Sequence, residues 1–230
     1  RQTPRPAAFL HHALGLIPEP TAPPTRFHPG EASRRSPSDL EAYRLGRIAE
    51  WSQPRYRLDT RFVALTLLVD MGEEALSGRW MPRDERFTDL RSLLADVHEP
   101  VVVLLGPPGS GKSTLLRRLE LDLAGEALAA ASCTDESPVT FLVSLNQYRA
   151  TVPGGTLPDP HTWLVTHWAT RYPKLPALDA LLAKGAVVLL LDGLNEMPHQ
   201  RMDEYHQRVM VWKRFLHDRV AAVPGNRAVV

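Results

Sequence analysis

The fold is decided by Gly106-Pro107-Pro108-Gly109-Ser110-Gly111-Lys112-Ser113, which matches the complete phosphate-binding pattern G-x-x-x-x-G-K-[ST]. The apolar run 101–105 before it predicts a strand, and the sequence from Thr114 onward predicts a helix. This strand–loop–helix context is the one in which the pattern binds phosphate. Backbone N–H groups of such a loop form an anion-binding concavity, and the helix dipole acts on the same phosphates. The stretch therefore predicts a nucleotide site.

The residue types within this loop have separate chemical roles. Gly109 and Gly111 allow backbone conformations and a close approach that a side chain would obstruct. Lys112 is expected to reach the β- and γ-phosphates, and the Ser113 hydroxyl is expected to ligate Mg²⁺. The predicted nucleotide-binding set is the whole loop and the residue after it: Gly106, Pro107, Pro108, Gly109, Ser110, Gly111, Lys112, Ser113 and Thr114.

A second motif is the apolar run 187–191, which predicts a buried strand and ends in Asp192. A carboxylate at the end of such a strand is expected to hold Mg²⁺ through its water shell. Glu196, just beyond the strand, is expected to act as the general base that polarises an attacking water. Asn195 beside it is expected to orient the water or the γ-phosphate. The structural alternative is a polar turn in which Asp192 caps a helix and Glu196 is solvated.

The composition excludes several classes of protein. A chain of 230 residues with 43% hydrophobic and 23% charged residues is ordinary for a globular protein. Its net charge of +1 gives no reason to expect nucleic acid as a partner of this segment. Cys133 is the single cysteine, which excludes an internal disulfide framework. Since no apolar stretch approaches the roughly 20 residues of a membrane-spanning helix, we expect no membrane segment and a cytoplasmic protein.

The chain divides into three predicted regions. Residues 1–38 are rich in proline and predict a linker or the tail of a preceding domain. Residues 39–99 are expected to form a flank that packs on the nucleotide core. Within this flank, helices are predicted from Asp39 to before Pro54 and at 90–96, and a strand is predicted within 61–69. Because the chain starts at Arg1 and stops within a predicted strand, we expect a piece of a longer protein.

Residues 100–230 alternate apolar strands with helices. Strands are predicted at 101–105, 139–145, 186–191 and from 227, and helices from the phosphate loop to about 131 and at 161–171, 177–183 and 203–223. Near-continuous apolar strands of this kind are typical of a parallel sheet covered on both faces. The predicted fold class is therefore α/β: a three-layer α/β/α sandwich of the P-loop NTPase type with a mainly parallel sheet.

Three tryptophans and two arginines in these helices have plain structural interpretations. Trp163, Trp168 and Trp212 occupy helical positions and are expected to pack in the core or in an interface. Arg117 and Arg118 follow the phosphate loop on the first core helix. We expect them on a solvated face, with a contact to a neighbouring subunit as the alternative.

The two motifs together resemble a known family. The run that ends in Asp192-Gly193-Leu194-Asn195-Glu196 is similar to the Walker B segment of NACHT-type NTPases, within the signal-transduction ATPases with numerous domains (STAND). The run 139–146 is similar to the second core strand of that family. The resemblance covers residues 100–230 well and 39–99 weakly. It implies that a sensor residue, a helical subdomain and a winged-helix domain follow the strand at Arg227, outside this chain.

The resemblance implies an ATP-hydrolysing molecular switch. In such proteins the ADP-bound form is closed and monomeric, and exchange for ATP with Mg²⁺ drives self-association that activates a fused effector domain. The family commonly has a second acidic residue where this chain has Asn195, so hydrolysis is expected to be slow or regulatory. High usage of Arg, Ala and Pro points to a bacterial source, for which the resemblance implies anti-phage defence (innate immunity) or signalling.

Other functions remain open at this level. One alternative is a nucleotide-gated assembly module with negligible hydrolysis, and another is a different P-loop ATPase or a kinase. A GTPase would need an Asn-Lys-x-Asp guanine-reading motif, which the sequence lacks. An ABC-type ATPase would carry Leu-Ser-Gly-Gly between the two motifs, whereas Leu76-Ser77-Gly78 precedes the phosphate loop and is followed by Arg79. The trigger, the effector output, the oligomer size and the preference for ATP over GTP have no visible motif.

Overall fold

A parallel sheet of four strands lies at the centre of the part of the chain that the structure describes. The structure is a computed structural model, and it describes residues 38–56, 65–70, 80–130, 137–150 and 156–230. Cys133, the Leu76-Ser77-Gly78 segment and all but the last residue of the predicted proline-rich linker lie outside the described residues. The predictions for those segments stay predictions.

The strands are β1 Leu65–Asp70, β2 Trp80–Phe87, β3 Val101–Val102, β4 Val139–Ser144, β5 Val187–Asp192 and β6 Arg227–Val229. The α-helices are α1 Asp39–Trp51, α2 Leu90–Asp96, α3 Lys112–Ala130, α4 Pro160–Arg171, α5 Leu178–Ala183 and α6 Met202–Phe215. A π-helix over Leu216–Ala221 continues α6, and 3₁₀ turns follow β4 at Leu145–Gln147 and β5 at Leu194–Glu196.

The central sheet has the strand order β3-β6-β5-β4, and every neighbouring pair is parallel. Ser144 pairs with Asp192 at the carboxyl ends of β4 and β5. β6 lies between β3, which leads into the phosphate loop, and β5, which ends in Asp192. Both motifs therefore lie at the carboxyl edge of the sheet, which is where open α/β sheets bind ligands.

Helices cover both faces of this sheet. The face that carries Leu189 and Leu191 packs against α4, α5 and α6. The face that carries Val188 and Leu190 packs against α2 and α3. Since β5 is buried on both faces, nearly every residue along it is apolar. This arrangement confirms the predicted three-layer α/β fold.

The predicted packing of the tryptophans is also found. Trp168 and Trp212 are fully buried in the core on the β5 face that carries Leu189, and Trp163 packs against the same core while partly exposed. Trp168 makes an edge-to-face contact with Phe141 at a centroid distance of 4.9 Å. Such contacts between large rings stabilise a core beyond the area that they bury.

Helix α1 covers the outer edge of the sheet along β4. The helix begins at a capping box in which Glu41 N–H donates to Ser38 Oγ (3.2 Å) and Ser38 N–H donates to the Glu41 carboxylate (2.6 Å). Arg44 donates to the carbonyl of Ser137, two residues before β4 (2.9 Å). Because a sheet edge presents unpaired backbone groups, a helix that binds them protects the edge.

Four elements differ in some respect from the predictions. β3 spans only Val101–Val102 and is shorter than the predicted 101–105, although backbone hydrogen bonds continue past it, from Val230 N–H to the carbonyl of Val102 (2.9 Å) and from Leu104 N–H to that of Val230 (2.7 Å). The strand predicted within 61–69 contributes β1, which pairs with β2 in a separate antiparallel sheet. β2 was not predicted, since its sequence Trp80–Phe87 contains a proline and four charged residues. The long helix predicted at 203–223 changes to π-helical geometry at Leu216.

Candidate nucleotide site

The phosphate loop connects β3 to the first turn of α3, as the motif predicts. Gly109 and Gly111 have φ values of +75° and +91°, the left-handed region that favours glycine. A Cβ atom added to Gly106 would lie 2.8 Å from Ser110 Oγ, so the loop closes tightly at its start. Gly109 and Gly111 are therefore required by the backbone conformation of the loop.

Lys112 is the first residue of α3, and its side chain folds over the loop. Its Nζ donates to the carbonyl of Gly106 (2.7 Å) and to the carbonyl of Pro107 (3.0 Å). These bonds hold the ammonium group above the backbone that the motif uses for phosphate. A phosphate anion would offer the same ammonium a charged acceptor in place of two neutral carbonyls, which is the stronger hydrogen-bonding arrangement.

The two motifs meet at a hydrogen bond between Ser113 and Asp192. Ser113 Oγ donates to Asp192 Oδ1 at 2.7 Å, although the two residues are far apart in sequence. The contact follows from topology, because α3 starts beside the carboxyl end of β5. Hydroxyl and carboxylate oxygens are the ligands that Mg²⁺ prefers in proteins. The pair therefore fits the cation for which both residues were predicted.

Asn195 and Glu196 lie on the 3₁₀ turn that follows Asp192. Gly193 starts this turn with φ = +78°, and Glu196 N–H donates to the carbonyl of Gly193 at 2.8 Å. Both side chains are exposed. Among the described residues, no hydrogen bond or ion pair links either side chain to the phosphate loop, so the roles predicted for them stay predictions.

Arg117 belongs to this site, and the sequence interpretation missed it. Its guanidinium lies 3.8 Å from Asp192 Oδ2, and the Arg117 side chain is 30% exposed, so it is not on the fully solvated face that was expected. The alternative of a contact to a neighbouring subunit stays a prediction. One signal could have revealed it: Arg117 follows Ser113 by one helical turn, and residues four apart share a helix face. Arg118, by contrast, pairs with Asp122 at 2.9 Å.

A cavity of about 200 Å³ opens beside Asp192 on the β4 side. Its wall includes three arginines and a histidine: Arg47, Arg117, Arg171 and His167. Burial lowers the pKa of His167 below its ordinary value, and the charge of Arg171 acts in the same direction. The uncharged imidazole is therefore favoured, so the arginines carry the positive charge of this wall.

A buried carboxyl lies behind the cavity. Glu120 of α3 is fully buried, and Trp51 Nε1 of α1 donates to its Oε2 at 2.5 Å. Burial raises the pKa of Glu120, while the hydrogen bond from Trp51 and the charge of Arg47 act in the opposite direction. Its other oxygen, Oε1, has no hydrogen-bond partner in the described structure. The group is thus ionised only at a cost in stability.

A larger cavity of about 460 Å³ lies away from the phosphate loop, between α6 and the segment before α4. Tyr148, Asp159, Glu204 and Arg208 are among the residues that line it. Burial raises the pKa of Tyr148 to about 12, with the charge of Asp159 acting in the same direction. Of these two cavities, only the smaller one is lined by a residue of the two motifs, Asp192.

Comparison with protein families agrees with this geometry. Residues 100–222, more than half of the chain, match the family model described as the NACHT domain. No curated protein matches the chain. Within the described ranges, no helix is both long and apolar enough to cross a bilayer.

Proposed function

Because this chain belongs to the NACHT family and carries its P-loop nucleotide-binding module, we propose that it binds ATP and ADP with Mg²⁺ and hydrolyses ATP slowly as a molecular switch. The observation that carries the proposal is the 2.7 Å hydrogen bond from Ser113 to Asp192, which joins the two motifs at one edge of the sheet. A hydroxyl and a carboxylate in contact beside an anion-binding loop make up the cation site of a P-loop NTPase.

The residues of the loop would divide the work of binding. Backbone N–H groups from Gly109 to Ser113 and the amino-terminal end of α3 would hold the phosphates. Lys112 would leave the carbonyls of Gly106 and Pro107 and pair with the β- and γ-phosphates. Ser113 and Asp192 would hold Mg²⁺, which neutralises charge on the phosphate oxygens when it is bound. Each of these groups already lies at the loop, so binding requires side-chain movement more than backbone rearrangement.

Hydrolysis would depend on the turn after β5. Glu196 follows Asp192 by four residues and would accept the proton of the attacking water, with Asn195 orienting that water. A neutral amide at position 195 accepts no proton. We therefore propose slow turnover that times the switch.

A second candidate is a nucleotide-gated assembly module with negligible hydrolysis. The exposure of both Asn195 and Glu196, and the lack of a bond from either to the loop among the described residues, favours this candidate. In either case the nucleotide would bias a two-state equilibrium, because the γ-phosphate contacts exist in one state only. The ATP state of the full-length protein would self-associate and activate fused domains, in bacterial anti-phage defence or signalling within the cytoplasm.

The test is calorimetric titration of the chain with Mg-ATP, Mg-GTP and ADP. The matched pair of variants is Lys112→Ala at the loop and Lys174→Ala on the exposed surface beyond α4. We expect Lys112→Ala to abolish triphosphate binding and Lys174→Ala to leave it unchanged. Equal affinities for wild type and Lys112→Ala would contradict the proposal. Comparison of ATP with GTP would define the base preference.

Turnover and assembly distinguish the two candidates. Release of phosphate from ATP, lost in Glu196→Gln, would support the hydrolysing switch. Oligomer formation in ATP without phosphate release would support the assembly module. Light scattering of the full-length protein in ATP and in ADP is the measurement of assembly.

A further inference from the structure

Arg117 shares the Asp192 carboxylate with Ser113. Ser113 Oγ donates to one carboxylate oxygen at 2.7 Å, and the Arg117 guanidinium lies 3.8 Å from the other. The Asp192 side chain is only 15% exposed, which reduces solvent screening of this pair. The carboxylate that Mg²⁺ would approach therefore already faces a cation of the chain.

Arg117 is held in this place by residues that precede the phosphate loop. Its guanidinium carbon lies 5.7 Å from the centroid of the Trp51 ring and 5.6 Å from that of Tyr56. The two rings contact each other edge to face at 4.8 Å. A guanidinium near aromatic faces is attracted by the ring quadrupoles. The aromatic pair Trp51–Tyr56 thus helps to set the position of the charge beside Asp192.

Trp51 is itself held in place, so a movement of Arg117 would change the surroundings of a fixed ring. The Trp51 ring is 6% exposed, and its Nε1 is bound to the buried Glu120. Arg117 also lines the cavity of about 200 Å³ beside Asp192, which leaves its guanidinium space to move away from the carboxylate. A divalent cation at Asp192 repels that guanidinium.

We propose that Arg117 is a positioning residue of the metal site: a counter-ion held against Asp192 by the aromatic pair Trp51–Tyr56, which competes with Mg²⁺. The proposal rests on the proposed function, because nucleotide brings Mg²⁺ to this site. Occupation of Asp192 then changes the surroundings of Trp51, so that the segment before the phosphate loop responds to Mg²⁺.

The test is a titration of MgCl₂ into the chain saturated with ADP, with tryptophan fluorescence as the readout. Arg117→Met removes the charge, and we expect the Mg²⁺ concentration at half-saturation to fall about two- to five-fold, the range of a partly screened ion pair. We expect Arg117→Lys, which keeps the charge, to restore the wild-type value. Arg118→Met is the matched control, one residue along the same helix, and should behave like the wild type.

The fluorescence change itself tests the link to the aromatic pair. We expect Mg²⁺ to alter the emission of the ADP-bound wild type and Arg118→Met, and to alter that of Arg117→Met and Trp51→Phe much less. If Arg117→Met fails to fold, Tyr56→Leu, which removes one ring beside the guanidinium, should shift half-saturation in the same direction by a smaller factor.

The outcomes separate this inference from the proposed function. If ADP does not bind to the folded wild-type chain, both fail. If ADP binds and Lys112→Ala abolishes binding, but Arg117→Met leaves half-saturation unchanged or raises it, only the role of Arg117 is overturned. An emission change that persists in Trp51→Phe would likewise overturn the link to the aromatic pair.

Discussion

The hydroxyl of Tyr43 donates a buried hydrogen bond of 2.6 Å to the backbone carbonyl of Thr140. This bond joins α1 to β4, the outermost strand on that side of the central sheet. The ring of Tyr43 also makes edge-to-face contacts with Trp168 and Tyr172 at 5.7 Å and 4.8 Å. The helix before the phosphate loop is therefore bonded to the same sheet that carries Asp192.

Tyr43→Phe should lower the free energy of unfolding by about 1–2 kcal/mol, because it leaves the buried carbonyl of Thr140 without this donor while keeping the ring contacts. Urea denaturation is the measurement. Tyr172→Phe is the matched control, since it removes the hydroxyl of the neighbouring ring, for which the described residues show no hydrogen bond. An equal decrease in the free energy of unfolding of the two variants would show that the Tyr43–Thr140 hydrogen bond does not stabilise the fold.

Gly109→Ala should destabilise the phosphate loop by about 1–2 kcal/mol, because a non-glycine residue at φ = +75° is strained. Nothing lies within 4 Å of the added Cβ atom, so the cost is conformational and not steric. Gly46→Ala, in α1 and with equally open space, should instead stabilise the protein by about 0.5–1 kcal/mol. Thermal unfolding should show that Gly109→Ala lowers the stability and that Gly46→Ala raises it. An increase in stability in Gly109→Ala would refute the loop conformation.

Glu120 should make stability depend on pH. Burial raises its pKa in the folded chain above the unfolded value. Its contribution is therefore fully present below the unfolded pKa and is lost as the pH rises through the folded pKa. Glu120→Gln, which keeps an acceptor for Trp51 Nε1, should flatten this fall in denaturation curves recorded at several pH values. Glu196→Gln, at an exposed position, serves as the control. If stability still falls with rising pH in Glu120→Gln, another group causes that fall.

Glu196→Gln should retain ATP while slowing its hydrolysis by about 10²-fold, the lower end of what a positioned general base supplies. Asn195→Asp should act in the opposite direction and increase turnover, since it restores a second acidic side chain on the same turn. Both effects are read from phosphate release at saturating ATP, with calorimetry to confirm that binding is intact. Unchanged turnover in Glu196→Gln would exclude it as the base.

The sequence predicts the parts of this protein that depend on local pattern. β4 and β5 are found within one residue of their predicted bounds, because a strand buried on both faces must be apolar throughout. The helix predicted to begin at Asp39 does begin there, because its capping box of Ser38 and Glu41 is a local contact. By contrast, β2 carries Pro82 and charged residues, and only its pairing with β1 makes it a strand.

The structural roles that the sequence does not predict depend on contacts between residues far apart in the chain. Asn226 is buried, and its side chain accepts from Val187 N–H (3.2 Å) and donates to the carbonyl of Leu182 (2.8 Å). No local pattern marks such a residue. The same holds for Arg117, whose partners come from two distant segments, Trp51 and Tyr56 before the phosphate loop and Asp192 after it. The residues of the loop were predictable from their motif, while the residues that surround them depend on the assembled fold.

The position of β6 between β3 and β5 has a consequence for synthesis of the chain. Within the described sheet, β3 pairs only with β6, so the strand that leads into the phosphate loop has no partner until residues 227–229 emerge from the ribosome. Strands that wait for a distant partner fold slowly and expose an edge to aggregation. A nascent chain that ends at residue 222, where the family match ends, would therefore carry the complete motif sequences without the sheet that joins them.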